Sequence, residues 1–164
     1  MKAELPEMET LTYEQDEDGI GLLQFNRPEK LNAWTSRMWE EMGALGEMLQ
    51  HDSSVRAVIV SGKGRAFSSG IDTSVFAGGT LDVRPDSTGT AARHHEHPVT
   101  NMIMSIASTY AWLEAAPFPT IAAVHGYAIG AGLQVALACD IRVFAHGTIS
   151  GLLEHKYGML PDLG

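Results

Sequence analysis

Hydrophobic positions in the first part of the chain predict a strand, a helix and a second strand. Residues 19–25 (GIGLLQF) are typical of a strand that ends before Pro28, because proline has no N–H to donate to a sheet. Residues 55–60 (VRAVIV) lead into a glycine-containing loop and predict an interior strand. Between them we expect a helix that is capped by Thr35 or Ser36. Its apolar residues recur at steps of four, three and four and predict one buried face: Met38, Met42, Leu45 and Leu49.

The second half of the chain repeats this alternation. The predicted elements are a helix over residues 102–113, a strand over 120–124, a glycine-rich turn over 126–132, a helix over 133–139 and a strand over 141–144. Residues 77–100 lack periodicity and are rich in polar and helix-breaking residues, so we expect a mobile surface loop there. Because strands and helices alternate, the pattern favours one α/β domain over residues 1–164, built on a parallel sheet.

Composition and charge limit the class of protein. With 45% hydrophobic and 19% charged residues, the chain has the composition of a globular protein. A net charge of −9 argues against nucleic acid as a partner, because phosphate binding requires clustered Lys and Arg. The longest apolar stretch is too short to cross a membrane, and a single cysteine agrees with a reducing compartment. We therefore expect a cytoplasmic protein without a membrane or nucleic-acid partner.

Two glycine-containing segments, residues 66–72 (AFSSGID) and 126–134 (GYAIGAGLQ), each follow a predicted strand. Glycine allows a backbone N–H to approach a ligand closely, and two converging N–H groups would form an oxyanion hole. Glycines also serve simply to allow tight turns. From either segment alone, both interpretations stay open.

Five motifs in sequence order resemble the enoyl-CoA hydratase/isomerase (crotonase) family over about residues 10–164. They are residues 26–33 (NRPEKLNA), 66–72, 119–132, 138–142 (ACDIR) and the run from Glu154 through Gly158 to Gly164. The resemblance implies a crotonase-like (ClpP/crotonase) α/β fold with a ββα-repeat core around a parallel sheet. It also implies that the chain ends before the C-terminal helices of that family.

The resemblance implies a CoA thioester as substrate, with coenzyme A as part of the substrate and no permanently bound cofactor. It makes the N–H groups of Ile71 and Ala131 the oxyanion donors. Ala131 stands where the family usually has glycine, so a positive φ there would be strained. The substrate-binding positions implied are Leu31, Ala33, Ala66, Ser69, Gly70, Asp72, Tyr127, Gly132, Leu153 and Pro161.

The acid–base residues implied by the resemblance favour isomerisation. Hydratases of the family use two glutamates, but here Gln134 fills the first position, and an amide cannot exchange a proton near neutral pH. Glu154 fills the second position, and Asp162 matches an acidic residue of the dienoyl-CoA isomerases. We therefore expect Glu154 and Asp162 to share the proton transfers while Gln134 orients the substrate. The alternatives are an enoyl-CoA hydratase, another crotonase-family hydrolase, and an inactive acyl-CoA-binding or assembly module.

Other candidate residues have simpler interpretations. The histidines at positions 94, 95 and 97 lack an accompanying ligand pattern, so no metal site is predicted. Ser68 and Ser69 lie outside any Gly-x-Ser-x-Gly nucleophile motif. We expect His125 to lie at a strand end and Cys139 to pack as a small apolar residue. Because the family forms trimers or hexamers, we also expect a homo-oligomer, with apolar surface left uncovered by the absent helices.

Overall fold

The computed structural model describes residues 5–77 and 98–153. Its strands are β1 (Leu11–Gln15), β2 (Ile20–Phe25), β3 (Ala57–Gly62), β4 (Thr120–Val124), β5 (Tyr127–Ile129), β6 (Ile141–Phe144) and β7 (Ile149–Gly151). Its helices are a 3-10 turn (Pro28–Lys30), α1 (Ser36–His51), α2 (Ser74–Ala77), α3 (Pro98–Tyr110), α4 (Trp112–Ala115) and α5 (Ala131–Leu137).

The strands form two sheets. The larger has the order β1-β2-β3-β4-β6, in which β1 is antiparallel to β2 and the other neighbours are parallel. The smaller is the parallel pair β5-β7. The predicted α/β arrangement on a mainly parallel sheet is therefore confirmed.

Helix α1 forms the core as its sequence pattern predicts. The Thr35 hydroxyl accepts the Met38 N–H at 3.3 Å and caps the first turn. The four predicted core residues, Met38, Met42, Leu45 and Leu49, are all fully buried. At the start of the helix, Trp34 and Trp39 stack with ring centroids 3.9 Å apart.

Strand β1 was not predicted, and its start is bonded to a distant residue of α1. The buried carboxylate of Glu41 accepts the backbone N–H groups of Glu9, Thr10 and Leu11 at 2.9–3.0 Å. It also pairs with Arg37 one turn earlier in the helix, at 2.8 Å. A glutamate on a helix is ordinarily solvated, so the sequence alone gave no sign of this contact.

Several predicted boundaries were wrong. Strand β3 ends two residues later than predicted, and α5 begins at Ala131 instead of at residue 133. The predicted glycine-rich turn contains β5, whose three residues are too few to show a period of two. β7 was missed for the same reason. Residues 78–97, most of the expected loop 77–100, lie outside the described residues; Ala77 ends α2 and Pro98 begins α3.

An apolar surface lies around β6, at one edge of the larger sheet. All four residues of β6 are exposed, including Ile141, Val143 and Phe144. Leu137 at the end of α5 and Ile149 of β7 are exposed as well. The expectation of uncovered apolar surface therefore holds for the described residues. Among the helices of residues 5–77 and 98–153, none is long and apolar enough to span a membrane.

Candidate active site

The segment 66–72 is hydrogen-bonded on one side to residues 31–34. Ser69 N–H donates to Leu31 O at 2.9 Å, and Trp34 N–H donates to Gly70 O at 2.8 Å. Asp72 N–H then donates to Trp34 O at 2.8 Å. Two of the segments that the sequence assigns to substrate binding therefore lie side by side.

On its other side, the same segment is bonded to residues 125–129. Phe67 N–H donates to His125 O at 2.8 Å, and Ser68 N–H donates to Tyr127 O at 2.9 Å. In return, Ile129 N–H donates to Ser68 O at 3.0 Å. Segment 66–72 therefore lies between residues 31–34 and residues 125–129 and is hydrogen-bonded to both.

Within residues 67–72 of this segment the N–H of Ile71 stands apart; the Ala66 N–H, at the start of the segment, is also without an acceptor among the described residues. The N–H groups of residues 67, 68, 69 and 72 donate to backbone carbonyls, and that of Gly70 donates to the Ser68 hydroxyl at 3.2 Å. Among the described residues, no acceptor faces the Ile71 N–H. Trp34 and Ile71 face each other in a parallel bridge whose bonds use the groups on either side of Ile71, so its own N–H points away from Trp34.

The second candidate donor, Ala131, is the first residue of α5. The first N–H groups of a helix have no intrahelical acceptor, and within the described residues no other acceptor faces this one. The positive φ falls on Gly130, at 51°, whereas the non-glycine residues with positive φ in the described chain are Leu31 and Asn32. Alanine at position 131 is therefore free of the strain that the sequence analysis considered.

The two candidate donors lie in neighbouring backbone segments. A Cβ built on Gly70 would lie 3.0 Å from Ile129 O and 4.0 Å from Ala131 N. A Cβ built on Gly132 would lie 2.6 Å from Ser68 Cβ, closer than real side chains approach. The glycines therefore permit close approach of two backbones, and not only tight turns.

Asn32 connects its own segment to residues 63–66, a role that was not predicted from the sequence. It is fully buried with φ 53°, and its side-chain Oδ1 accepts the Arg27 N–H at 2.9 Å. Its Nδ2 donates to Lys63 O at 2.9 Å and to Ala66 O at 2.8 Å. Asparagine tolerates this left-handed conformation better than most residues, which was the available signal within motif 26–33.

Asp72 forms an ion pair with Arg27 at 3.0 Å. Its other carboxylate oxygen accepts the Ser74 N–H at 3.0 Å and the Ser74 hydroxyl at 2.7 Å. These bonds from Ser74, and then Arg27, hold the pKa of Asp72 below its usual value. The same guanidinium donates to Ala33 O, so it connects segment 31–34 to segment 66–72.

The other predicted site residues fall into three groups. Ala33, Ala66 and Gln134 are buried, with Gln134 on α5. Tyr127 and Leu153 are exposed. Glu154, Pro161 and Asp162 lie outside the described residues, as do the histidines at 94, 95 and 97.

Two minor predictions can be compared with the structure. Cys139 is buried as expected, and burial raises the pKa of its thiol to about 12. His125 follows β4 directly, with its Nε2 3.0 Å from Gly64 O. In the described ranges 5–77 and 98–153, His, Cys, Asp and Glu form no cluster suited to a metal ion.

The motifs around these N–H groups belong to a pattern that covers most of the chain. The sequence model of the enoyl-CoA hydratase/isomerase family matches residues 15–164. The chain belongs to this family. One relative among its members is the mitochondrial Delta(3,5)-Delta(2,4)-dienoyl-CoA isomerase of Mus musculus, 34% identical over 142 residues, which are 87% of this chain and 42% of that protein.

Solved structures of the enoyl-CoA hydratase/isomerase family have the same fold. An enoyl-CoA hydratase homologue from Thermobifida fusca, solved in complex with CoA, is 37% identical with a TM-score of 0.77, and the match covers 94% of this chain and 56% of that one. An enoyl-CoA hydratase from Mycobacterium avium subsp. paratuberculosis is 28% identical with a TM-score of 0.77, covering 98% and 57%. The crotonase-like fold prediction is confirmed. The chain spans about half the length of the curated relatives it matches.

Proposed function

We propose that this chain forms the thioester-activating part of an acyl-CoA enzyme, in which the N–H groups of Ile71 and Ala131 bind the thioester carbonyl oxygen. The observation that supports this most is the Ile71 N–H, which within the described residues is the one N–H of residues 67–72 without an acceptor. It lies in a segment that packs against the start of α5, where the Ala131 N–H is also without an acceptor.

Two such donors would stabilise an enolate. When a CoA thioester loses an α-proton or gains a nucleophile at its β-carbon, negative charge develops on the carbonyl oxygen. Preset N–H groups stabilise that charge without reorganising, and losing one donor typically raises the barrier by about 2.7–4 kcal/mol. Isomerisation, hydration and hydrolysis all benefit from this stabilisation of the carbonyl oxygen, so the two donors alone do not determine which reaction occurs.

The CoA portion of the substrate is assigned to residues 31–33 and 66–72. These segments are hydrogen-bonded to each other through Ser69 and Leu31, and the second of them contains the proposed donor Ile71. The Thermobifida fusca relative was solved with CoA and also with acetoacetyl-CoA, which supports a CoA thioester as ligand. We expect no permanently bound cofactor.

For the chemical step we propose double-bond isomerisation, with Glu154 and Asp162 as the proton-transferring carboxylates. Gln134 is buried on α5, and its amide cannot act as a base. Glu154 comes three residues after Gly151, and the Gly151 carbonyl accepts the Gly130 N–H at 2.9 Å. A dienoyl-CoA isomerase is among the relatives. Enoyl-CoA hydration is the second candidate, because an enoyl-CoA hydratase is among the structural neighbours.

Replacing Glu154 tests the acid–base assignment. We expect Glu154→Gln to lower turnover of dienoyl-CoA and α-proton exchange into deuterated water by about 10²–10⁴-fold while leaving acyl-CoA affinity within several-fold. Gln134→Ala should lower both rates less. Unchanged exchange in Glu154→Gln would show that another group is the base. Binding without turnover in the wild-type protein would favour an acyl-CoA-binding or assembly module.

Assembly and location complete the proposal. The exposed apolar residues of β6 support self-association or another partner surface, and a trimer or hexamer is the expectation from the family. We propose a cytoplasmic location, although the relative from Mus musculus is mitochondrial.

A further inference from the structure

We infer that Ser68 is a positioning residue for the Ile71 N–H, an inference that rests on the oxyanion hole proposed above. Ser68 is fully buried. Its hydroxyl donates to Asn32 O at 2.8 Å and accepts the Gly70 N–H at 3.2 Å. The hydroxyl therefore joins a fixed point of the fold to the residue just before the proposed donor.

Asn32 is the fixed point. Its own side chain accepts the Arg27 N–H and donates to the carbonyls of Lys63 and Ala66, which precede Ser68 in the chain. A carbonyl held in this way moves little, so a hydroxyl bonded to it has a defined position. Ser68 transmits that position to Gly70.

Gly70 controls the direction of the Ile71 N–H because the two share one peptide plane. The Gly70 carbonyl accepts the Trp34 N–H at 2.8 Å, and the Ile71 N–H lies in the same plane and points in the opposite direction. Gly70 has φ 97°, a conformation in which glycine rotates with little steric restraint. Gly70 donates its N–H to the Ser68 hydroxyl and accepts the Trp34 N–H at its carbonyl, and these two bonds together fix both sides of this residue.

The space around Ser68 restricts the side chain at this position. A Cβ on Gly132 would lie 2.6 Å from Ser68 Cβ and 2.8 Å from its Oγ, so α5 packs directly against it. Serine is the small residue that also supplies both a donor and an acceptor. Ser68→Ala keeps the packing but removes both hydrogen bonds, which makes it the informative change.

The test uses the full chain and a saturated acyl-CoA, butyryl-CoA with a ¹³C-labelled thioester carbonyl, observed by infrared difference spectroscopy. In the wild-type protein the carbonyl stretch should move to lower frequency on binding. Ser68→Ala should lose at least half of that displacement and lower turnover of dienoyl-CoA by about 10- to 100-fold. Its affinity for butyryl-CoA should stay within about threefold of the wild-type value, because a small misplacement of a donor affects the transition state more than binding.

Ser61→Ala is the matched control, since the Ser61 hydroxyl also donates to a backbone carbonyl, that of Ala123 at 3.3 Å, but this bond joins β3 to β4. It should leave the carbonyl frequency and turnover unchanged. If Ser68→Ala does not fold, as judged by thermal unfolding, Ser68→Cys replaces it and should give a displacement smaller than wild type, because a thiol is a weak donor and acceptor.

The outcomes separate this inference from the proposed function. If the wild-type protein displaces the carbonyl frequency and the Ser68 variant does so equally, the positioning role of Ser68 is wrong while the oxyanion hole stands. If the wild-type protein binds butyryl-CoA without any displacement, or does not bind it, the proposed function is wrong and the role of Ser68 falls with it.

Discussion

Gly70 and Ala131 lie beside each other, so that a Cβ on Gly70 would be 4.0 Å from the Ala131 nitrogen. This contact brings the segment after β3 against the start of α5. Neither segment alone suffices for the proposed chemistry, because an oxyanion hole requires two donors aimed at one oxygen. The close approach of these two backbones is therefore the structural basis of the proposed function.

The glycine at position 132 should be essential to that approach. Gly132→Ala places a Cβ 2.6 Å from Ser68 Cβ and must push α5 away from segment 66–72. We expect the free energy of unfolding to fall by about 1–3 kcal/mol and turnover to fall by about 10²-fold, as overpacking and donor misplacement typically cause. Chemical denaturation and steady-state kinetics would measure the two effects.

The control for this change is Gly151→Ala, because a Cβ on Gly151 would meet nothing within 4 Å in the described structure. It should leave turnover near the wild-type value. If Gly132→Ala were equally harmless, the packing of α5 on Ser68 would not matter for activity, and the geometric basis of the proposal would be wrong.

The ion pair between Asp72 and Arg27 should stabilise the fold in a pH-dependent way. The pKa of Asp72 is lowered in the folded protein, so its contribution is present above the ordinary carboxyl pKa of about 4 and is lost as the pH falls through the lowered value. Asp72→Asn keeps an acceptor for Ser74 but removes the charge. It should cost about 1 kcal/mol at pH 7, since the pair is partly exposed.

Denaturation of Asp72→Asn and wild type from pH 7 down to pH 2 would measure this. The difference between them should shrink as the wild-type carboxylate becomes protonated. Asp16→Asn controls for the removal of one carboxylate charge at another site, because the Asp16 carboxylate accepts the Ile20 N–H in an exposed turn. A constant difference across the whole range would mean that the charge of Asp72 is not what stabilises this contact.

The apolar surface at β6 should promote association. Val143 is 58% exposed on the edge strand of the larger sheet, and Ile141 on the same face is 50% exposed. Val143→Glu should shift the protein towards smaller species in light scattering, whereas Met104→Glu, a change at an exposed methionine of α3, should not. A wild-type protein that is monomeric at all concentrations would contradict the expectation of an oligomer.

The sequence predicted those features that depend on local pattern. The buried face of α1 follows from the spacing of Met38, Met42, Leu45 and Leu49, and the cap, predicted at Thr35 or Ser36, is Thr35. Strand β4 and strand β6 have the predicted bounds: β4 is a continuous run of apolar and β-branched residues after Pro119, and three of the four residues of β6 are apolar. The motif positions of Ile71 and Ala131 were available from the resemblance.

The features that the sequence did not predict depend on contacts between distant residues. The roles of Asn32 and Ser68 come from bonds to segments more than thirty positions away, and nothing in the local pattern specifies them. The same holds for Glu41, which looks like an ordinary solvated helix residue but binds the start of β1. Strand β5 was obscured because its three residues lie between two glycines, Gly126 and Gly130.

The proposed function requires that the Ile71 and Ala131 N–H groups bind one thioester oxygen. A crystal structure of the full chain with butyryl-CoA would measure both distances directly. We predict that the carbonyl oxygen lies about 2.7–3.1 Å from each of the two nitrogens, the separation at which such donors act. A bound butyryl-CoA whose carbonyl oxygen lies away from both nitrogens, with the Ile71 N–H bonded to another group of the protein, would contradict it.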